Sequence, residues 1–247
     1  MISFQSRNSA IRKADRITRH VNSVYPHISE SKFRIFANEV IQRNSGNHKI
    51  CMDLSRLKFK YESKMDALRF RGGYGLEQFK IIIDNLKNHK LGNCYESAIL
   101  AQIIGKINGI KNIYPAQMFF TKNSPKINMQ LDHAVAIVTD KPFEKDFKYQ
   151  FKNKDAIVID PWLNVTDYVG EYLSRIRNQL HKNFPFLSDN EIKMKNIAAS
   201  SKNLAEFNQK RKECFKHEFF FKLHEDEILT TEEAEILKKE FPELTFK

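Results

Sequence analysis

The sequence predicts an α+β fold, and three observations carry that prediction. Apolar residues recur at three-to-four spacing through the first hundred positions, the pattern switches to short runs of strand formers from Ile113, and helical spacing returns after Asp167. Helices followed by strands is not the alternating order of a parallel sheet with crossover helices. An antiparallel sheet packed on a helix is the simplest architecture, with further helices at both ends. A chain of 247 residues, 41% hydrophobic and holding 20 Phe, is long enough to bury the core this needs and reads as one domain.

Taken in order, Ile11, Ala14, Ile17, Val21 and Val24 mark one amphipathic helix that stops before Pro26. Phe33, Phe36, Ala37, Val40 and Ile41 mark a second, closed by Asn44-Ser45-Gly46-Asn47. Residues 1–75 thus form an N-terminal helical segment, although 48–74 follow no clear period. Arg71-Gly72-Gly73-Tyr74-Gly75 lacks the flanking strand, the helix and the Lys-Ser/Thr ending of a phosphate loop, so it predicts a flexible turn bordering the active site. Leu76, Phe79, Ile82, Ile83 and Leu86 form a short helix leading to Leu91-Gly92-Asn93-Cys94, after which an apolar helix runs to Asn108-Gly109.

Strands follow over 113–121, 133–139 and 156–160, the last cut off by Pro161, with a turn at Asn123-Ser124-Pro125. In the C-terminal part, 163–247, an amphipathic helix spans 167–180, and capping-box spacing appears at Ser188-Asp189-Asn190-Glu191 and Thr230-Thr231-Glu232-Glu233. A further strand is expected over 214–221. This part completes the fold or forms a separate lobe.

Three residues combine into a chemical reading. Cys94 stands at a helix start, where unpaired backbone N–H groups and the helix dipole favour a thiolate. His133 opens one strand and Asp160 ends a later one, so a sheet edge could hold imidazole and carboxylate side by side facing the thiol. Sulfur attacks, imidazole takes its proton and later protonates the leaving amine, and the carboxylate fixes the tautomer. Asp132 is an alternative orienting carboxylate; neighbours on a strand point to opposite faces, so Asp160 is preferred. A zinc site of Cys94, His133 and Asp160 with an open fourth position is also chemically legal, though a helix-terminal thiol suits a nucleophile better. Trp162 either lines the substrate groove or is buried, and Glu96 complements the helix dipole. The Cys214-His217 pair is too little for a metal site.

Leu91-Gly92-Asn93-Cys94-Tyr95-Glu96, Leu131-Asp132-His133-Ala134 and Ile159-Asp160-Pro161-Trp162 together resemble the papain-like and transglutaminase-like cysteine enzymes over residues 76–162. They look most like the Cys-His-Asp effector peptidases and protein-glutamine deamidases that bacteria deliver into host cells. The resemblance implies a papain-like core, a catalytic core over 76–162, and Cys94, His133 and Asp160 as nucleophile, base and orienting group. It implies a protein substrate of a host cell and delivery by a dedicated secretion system without a cleaved signal peptide. Such enzymes carry a glutamine a few residues before the nucleophile as oxyanion donor. None stands there; Gln78, Asn88, Asn93 and the Cys94 N–H are the candidates.

Peptide hydrolysis, glutamine deamidation and transglutamination all pass through the same acyl-enzyme and require no cofactor. A non-catalytic interaction module on a papain-like scaffold, with basic helical flanks, is the reading from another class. Three scattered cysteines without a CxxC pair suggest neither disulfides nor a zinc finger and fit a reducing, cytosolic setting. No apolar run is long enough for a membrane span. The net charge of +11 is spread along the chain without a recognisable nucleic-acid motif, so no nucleic-acid partner is expected.

Overall fold

The computed structural model describes residues 4–26, 75–121, 128–142, 148–150, 155–172, 200–203, 218–223 and 227–246, with Arg175, 205–206 and scattered positions between 40 and 63. The expected helix over 33–41, the turns at Asn44–Asn47 and Asn123–Pro125, Gly72-Gly73, the capping box at Ser188, Cys51, Cys214 and His217 lie wholly or largely outside these residues.

Helix α1 (Phe4–Val24) presents Ala14, Ile17 and Val21 to the core at the spacing read from the sequence. Helix α2 (Leu76–Asp84) buries Phe79, Ile82 and Ile83 and runs into a π-helical turn, Asn85–His89, that buries Leu86. Lys90, at φ 52°, ends that turn in the left-handed region and swings the chain toward helix α3 (Cys94–Ile107). Almost every side chain of α3 is buried, the condition of a helix apolar on all sides.

The strands are β1 (Ile113–Thr121), β2 (Asn128–Val138), β3 (Lys148–Gln150), β4 (Ile157–Asp160), β5 (Val165–Tyr168) and β6 (Glu218–Leu223). Among the described residues they form one antiparallel sheet in the order β3-β6-β1-β2-β4-β5. The α+β class and the antiparallel sheet are therefore as the sequence predicts. Helix α3 lies on β1, β2 and β4, and helix α4 (Thr231–Glu240) packs on α3 from the other side. Thr230 caps α4 by accepting the Glu233 N–H at 3.2 Å, the expected capping box.

Apolar side chains fill both faces of the sheet. Ile113, Ala136, Ile157 and Ile159 face the helices, while Tyr114, Met118, Val135, Val158 and Phe221 build a second cluster with Val169 and Tyr172 on the opposite face. Double-sided burial explains why the central strands read as unbroken apolar runs.

Three boundaries differ from the sequence reading. Strand β2 starts at Asn128, so His133 lies inside a strand rather than at its first residue. Asp167 and Tyr168 belong to β5, and the helix expected over 167–180 starts at Val169: 169–172 form its first turn, Arg175 is helical, and its other positions lie outside the described residues. The C-terminal strand, described over Glu218–Leu223, ends two residues beyond the expected 221, and positions 214–217 lie outside the described residues. Cross-strand pairing sets these boundaries, which local composition leaves open.

Close approach of α3 to β1 depends on Gly105, where an added Cβ would stand 2.6 Å from Ile113 Cδ1 and 3.3 Å from Ile17 Cδ1. Gly105→Ala should therefore destabilise by up to about 2 kcal/mol in urea unfolding, an overpacking cost of about 1–3 kcal/mol less the roughly 1 kcal/mol that alanine gains in helix propensity. Increased stability would show that α3 does not sit this close to the sheet.

Candidate active site

The local sequence makes Cys94 the first residue of α3. Asn93 is the extended N-cap, at φ −120° and ψ −167°, and its N–H donates to the Glu96 carboxylate at 2.8 Å. This reciprocal cap fixes the direction in which the chain enters the helix. Cys94 then sits among first-turn N–H groups that have no carbonyl one turn back, at the positive end of a 14-residue helix. Its side chain is buried at 7% exposure against Ala98, Ala134 and Trp162.

His133 reaches the same place through an irregularity in β2. Gln117 pairs with Ala134 but Phe119 pairs with Gln130, so residues 131–133 stand opposite Met118 alone. A bulge of this kind re-aims side chains, and strict alternation no longer says which way His133 points. The partner is nevertheless Asp160: the His133 Nε2–H donates to Asp160 Oδ2 at 2.8 Å, with both side chains fully buried. The Asp132 side chain lies outside the described residues.

Asp160 is held from behind. Its Oδ1 accepts the Leu163 N–H at 3.0 Å across the Pro161-Trp162 turn, and the Asn164 N–H returns to the Pro161 carbonyl at 3.2 Å. Asn164 adopts φ 57°, a conformation asparagine tolerates. From α1, Asn22 Nδ2 donates to the Pro161 carbonyl at 3.2 Å and to Asn164 Oδ1 at 3.3 Å, while the Thr18 and Thr166 hydroxyls meet. The N-terminal helix thus latches the turn that positions the carboxylate. Trp162 is buried, as one of its two readings expects, and its ring stands 5.3 Å from the His133 ring and tilted to it.

Sequence reasoning missed Tyr172. Its hydroxyl donates to Asp160 Oδ2 and stands 3.1 Å from His133 Nε2, so it joins the pair from the 169–172 turn. A buried phenol needs a polar partner, but in the amphipathic stretch from Asp167 nothing marks Tyr172 as the buried tyrosine. The pattern did not say which partner.

Burial opposes a charged imidazole here. The Asp160 charge and hydrogen bond, aided by a hydrogen bond and negative charge from Cys94, nevertheless push the His133 pKa up to about 10. Burial, followed by the neighbouring negative charges, raises the Tyr172 phenol well above its ordinary range, so it remains a neutral donor. The arrangement can hold a proton on the imidazole beside the Cys94 sulfur.

Of the oxyanion candidates, Gln78 Nε2 donates to the Tyr95 hydroxyl at 3.0 Å, and that hydroxyl donates to Glu227 at 2.7 Å. Gln78 therefore ties α2 to α3. Asn88 is exposed in the π-helical turn, and Asn93 serves as the cap. The backbone N–H of Cys94 is the candidate that belongs to the helix start itself.

Among the described residues no three His, Cys, Asp or Glu side chains are arranged to hold a metal; the His133 and Asp160 donor atoms face each other at hydrogen-bond distance instead. No described helix is long and apolar enough to cross a membrane. Comparison with protein-family models, curated proteins and solved structures finds no match to this chain.

The folded pKa of His133 stands above its unfolded value of about 6.5, so the ion pair contributes fully below that pH and is lost as pH rises through about 10. Urea unfolding in reducing buffer should show wild type more stable than Asp160→Asn near pH 6, roughly, with the gap closing above the folded pKa. A gap that is constant or widens with pH would contradict a charged pair.

Proposed function

We propose that this protein is a thiol hydrolase of carboxamides in proteins, with Cys94 as nucleophile, His133 as base and then acid, and Asp160 as the orienting group. The observation that carries the reading is the fully buried His133–Asp160 hydrogen bond, 2.8 Å, electrostatically coupled to a cysteine at a helix start. A core packed only for stability gains little from three such groups, because desolvating charges offsets most of their attraction. Buried titratable groups with a specific charge partner are the usual mark of a working site. The resemblance of the three motifs to papain-like and transglutaminase-like enzymes supports the same reading. So does the layout, an antiparallel sheet whose neighbouring strands carry histidine and aspartate beneath a cysteine-bearing helix.

In this reading Nε2 faces Asp160, and Nδ1 exchanges a proton with the Cys94 thiol. The thiolate adds to the amide carbon, and the resulting oxyanion is met by N–H groups of the α3 first turn. The imidazolium gives its proton to the departing nitrogen, the C–N bond breaks, and a thioester remains on Cys94. Water, deprotonated by His133, then releases the acid and restores the thiol. If the nitrogen belongs to a peptide bond the product is a cut chain; if it is the side-chain amide of glutamine the products are glutamate and ammonia. The host-cell setting rests on the resemblance alone.

Eukaryotic cell extract treated with wild type or Cys94→Ala and compared by mass spectrometry tests the proposal. New termini mean proteolysis, and a gain of roughly one dalton at glutamine means deamidation. His133→Ala should slow the same product by about 10²–10⁴-fold. Identical spectra for wild type and Cys94→Ala would overturn the hydrolase reading in favour of an interaction module.

A further inference from the structure

We infer that Tyr172 is a positioning residue of this site, whose hydroxyl shares Asp160 Oδ2 with the imidazole and thereby sets how firmly His133 holds its proton. The inference rests on the reading of Cys94 as the nucleophile and adds to it a residue through which the acid–base group is tuned.

The phenol comes from the sheet face opposite α3. It follows β5 on a helical turn whose first N–H, that of Val169, donates to the Ala156 carbonyl at 2.9 Å. Its ring packs edge-on against Phe221 of β6, with centroids 5.9 Å apart, inside the cluster that fills that face. A phenylalanine would satisfy the packing equally well, so the core does not call for the oxygen. Among the described residues the oxygen meets only the site: it donates to Asp160 Oδ2 and stands 3.1 Å from His133 Nε2.

Asp160 thus accepts from three donors, the Leu163 N–H on Oδ1 and both the Tyr172 hydroxyl and the imidazole on Oδ2. Hydrogen bonds to an ionised acceptor are strong, and two donors on one oxygen each receive less of its charge than one would alone. Among the described residues, the titratable groups recorded against the imidazole are Asp160 from β4, Tyr172 from the 169–172 turn and Cys94 from α3, with the uncharged Trp162 beside the ring. Without the hydroxyl, Oδ2 would bind the imidazolium alone. The proton would then be held to higher pH and delivered less readily to a leaving nitrogen.

The test is the pH dependence of Cys94 carbamidomethylation by iodoacetamide, measured by peptide mass on the full chain as wild type, Tyr172→Phe and Tyr172→3-fluorotyrosine. In wild type the rate should change at an alkaline edge where the imidazolium gives up its proton. Tyr172→Phe should move that edge up by roughly half a unit or more, and the fluorinated phenol, a stronger donor, should move it down. A purely structural tyrosine predicts no opposed shifts. Edges that superimpose in all three proteins while Cys94 still reacts rapidly at neutral pH would overturn the inference and leave the hydrolase reading intact. A wild-type Cys94 that reacts no faster than an ordinary thiol would overturn both. If Tyr172→Phe does not fold, the fluorinated variant decides: a downward shift supports the inference, and an unmoved edge overturns it.

Discussion

The hydrogen bond between His133 and Asp160 is the interaction on which the rest of this structure depends. Both side chains are withdrawn from water, where an uncompensated charge would cost several kcal/mol, roughly. The cost is met locally, by Leu163 N–H and Tyr172 on the carboxylate and by the carboxylate and thiol on the imidazole. Each partner arrives on a different element, so the site exists only when α3, β2, β4 and the 169–172 turn are all in register.

The peripheral helices make sense in that light. Helix α1 does more than cover apolar surface: Thr18 and Asn22 hold the β4–β5 connection that carries Asp160. On the far side of α3, Gln102 donates to the Glu227 carbonyl at 2.8 Å and accepts the Leu229 N–H at 2.9 Å, anchoring the approach to α4. Tyr25 and Lys87 both reach Glu243, at 2.7 and 2.9 Å, which ties the end of α1 and the π-helical turn to the chain's last described segment. Helix α3 is therefore clamped along its length, and a clamped helix fixes the position of the sulfur at its first residue.

Much of this was legible in the sequence for identifiable reasons. The helix from Cys94 announces itself through Gly92-Asn93 before it and Asn108-Gly109 after it, and the capping box at Thr230 reads directly. The strand ending at Asp160 is fixed by Pro161. What stayed hidden was non-local. Strand β2 begins in the polar stretch Asn128-Met129-Gln130, which carries no apolar run and becomes a strand by pairing with β1. The short β5, Val165–Tyr168, holds Thr and Asp and exists because β4 lies beside it. The preference for Asp160 over Asp132 rested on alternation along a regular strand; the bulge at 131–133 removes that argument, and it is the contact itself that selects Asp160. Tyr172 could be read only as one more residue of an amphipathic stretch, because its role is defined by a carboxylate on another strand.

One balance governs the site, burial expelling charge from His133 against Asp160 and Cys94 retaining it. Nitrogen-15 NMR of the His133 ring, followed as a function of pH in the reduced protein, reads that balance directly. The expected result is an imidazolium, both ring nitrogens protonated, at neutral pH and above, giving way at about 10. A neutral His133 ring at neutral pH would contradict it.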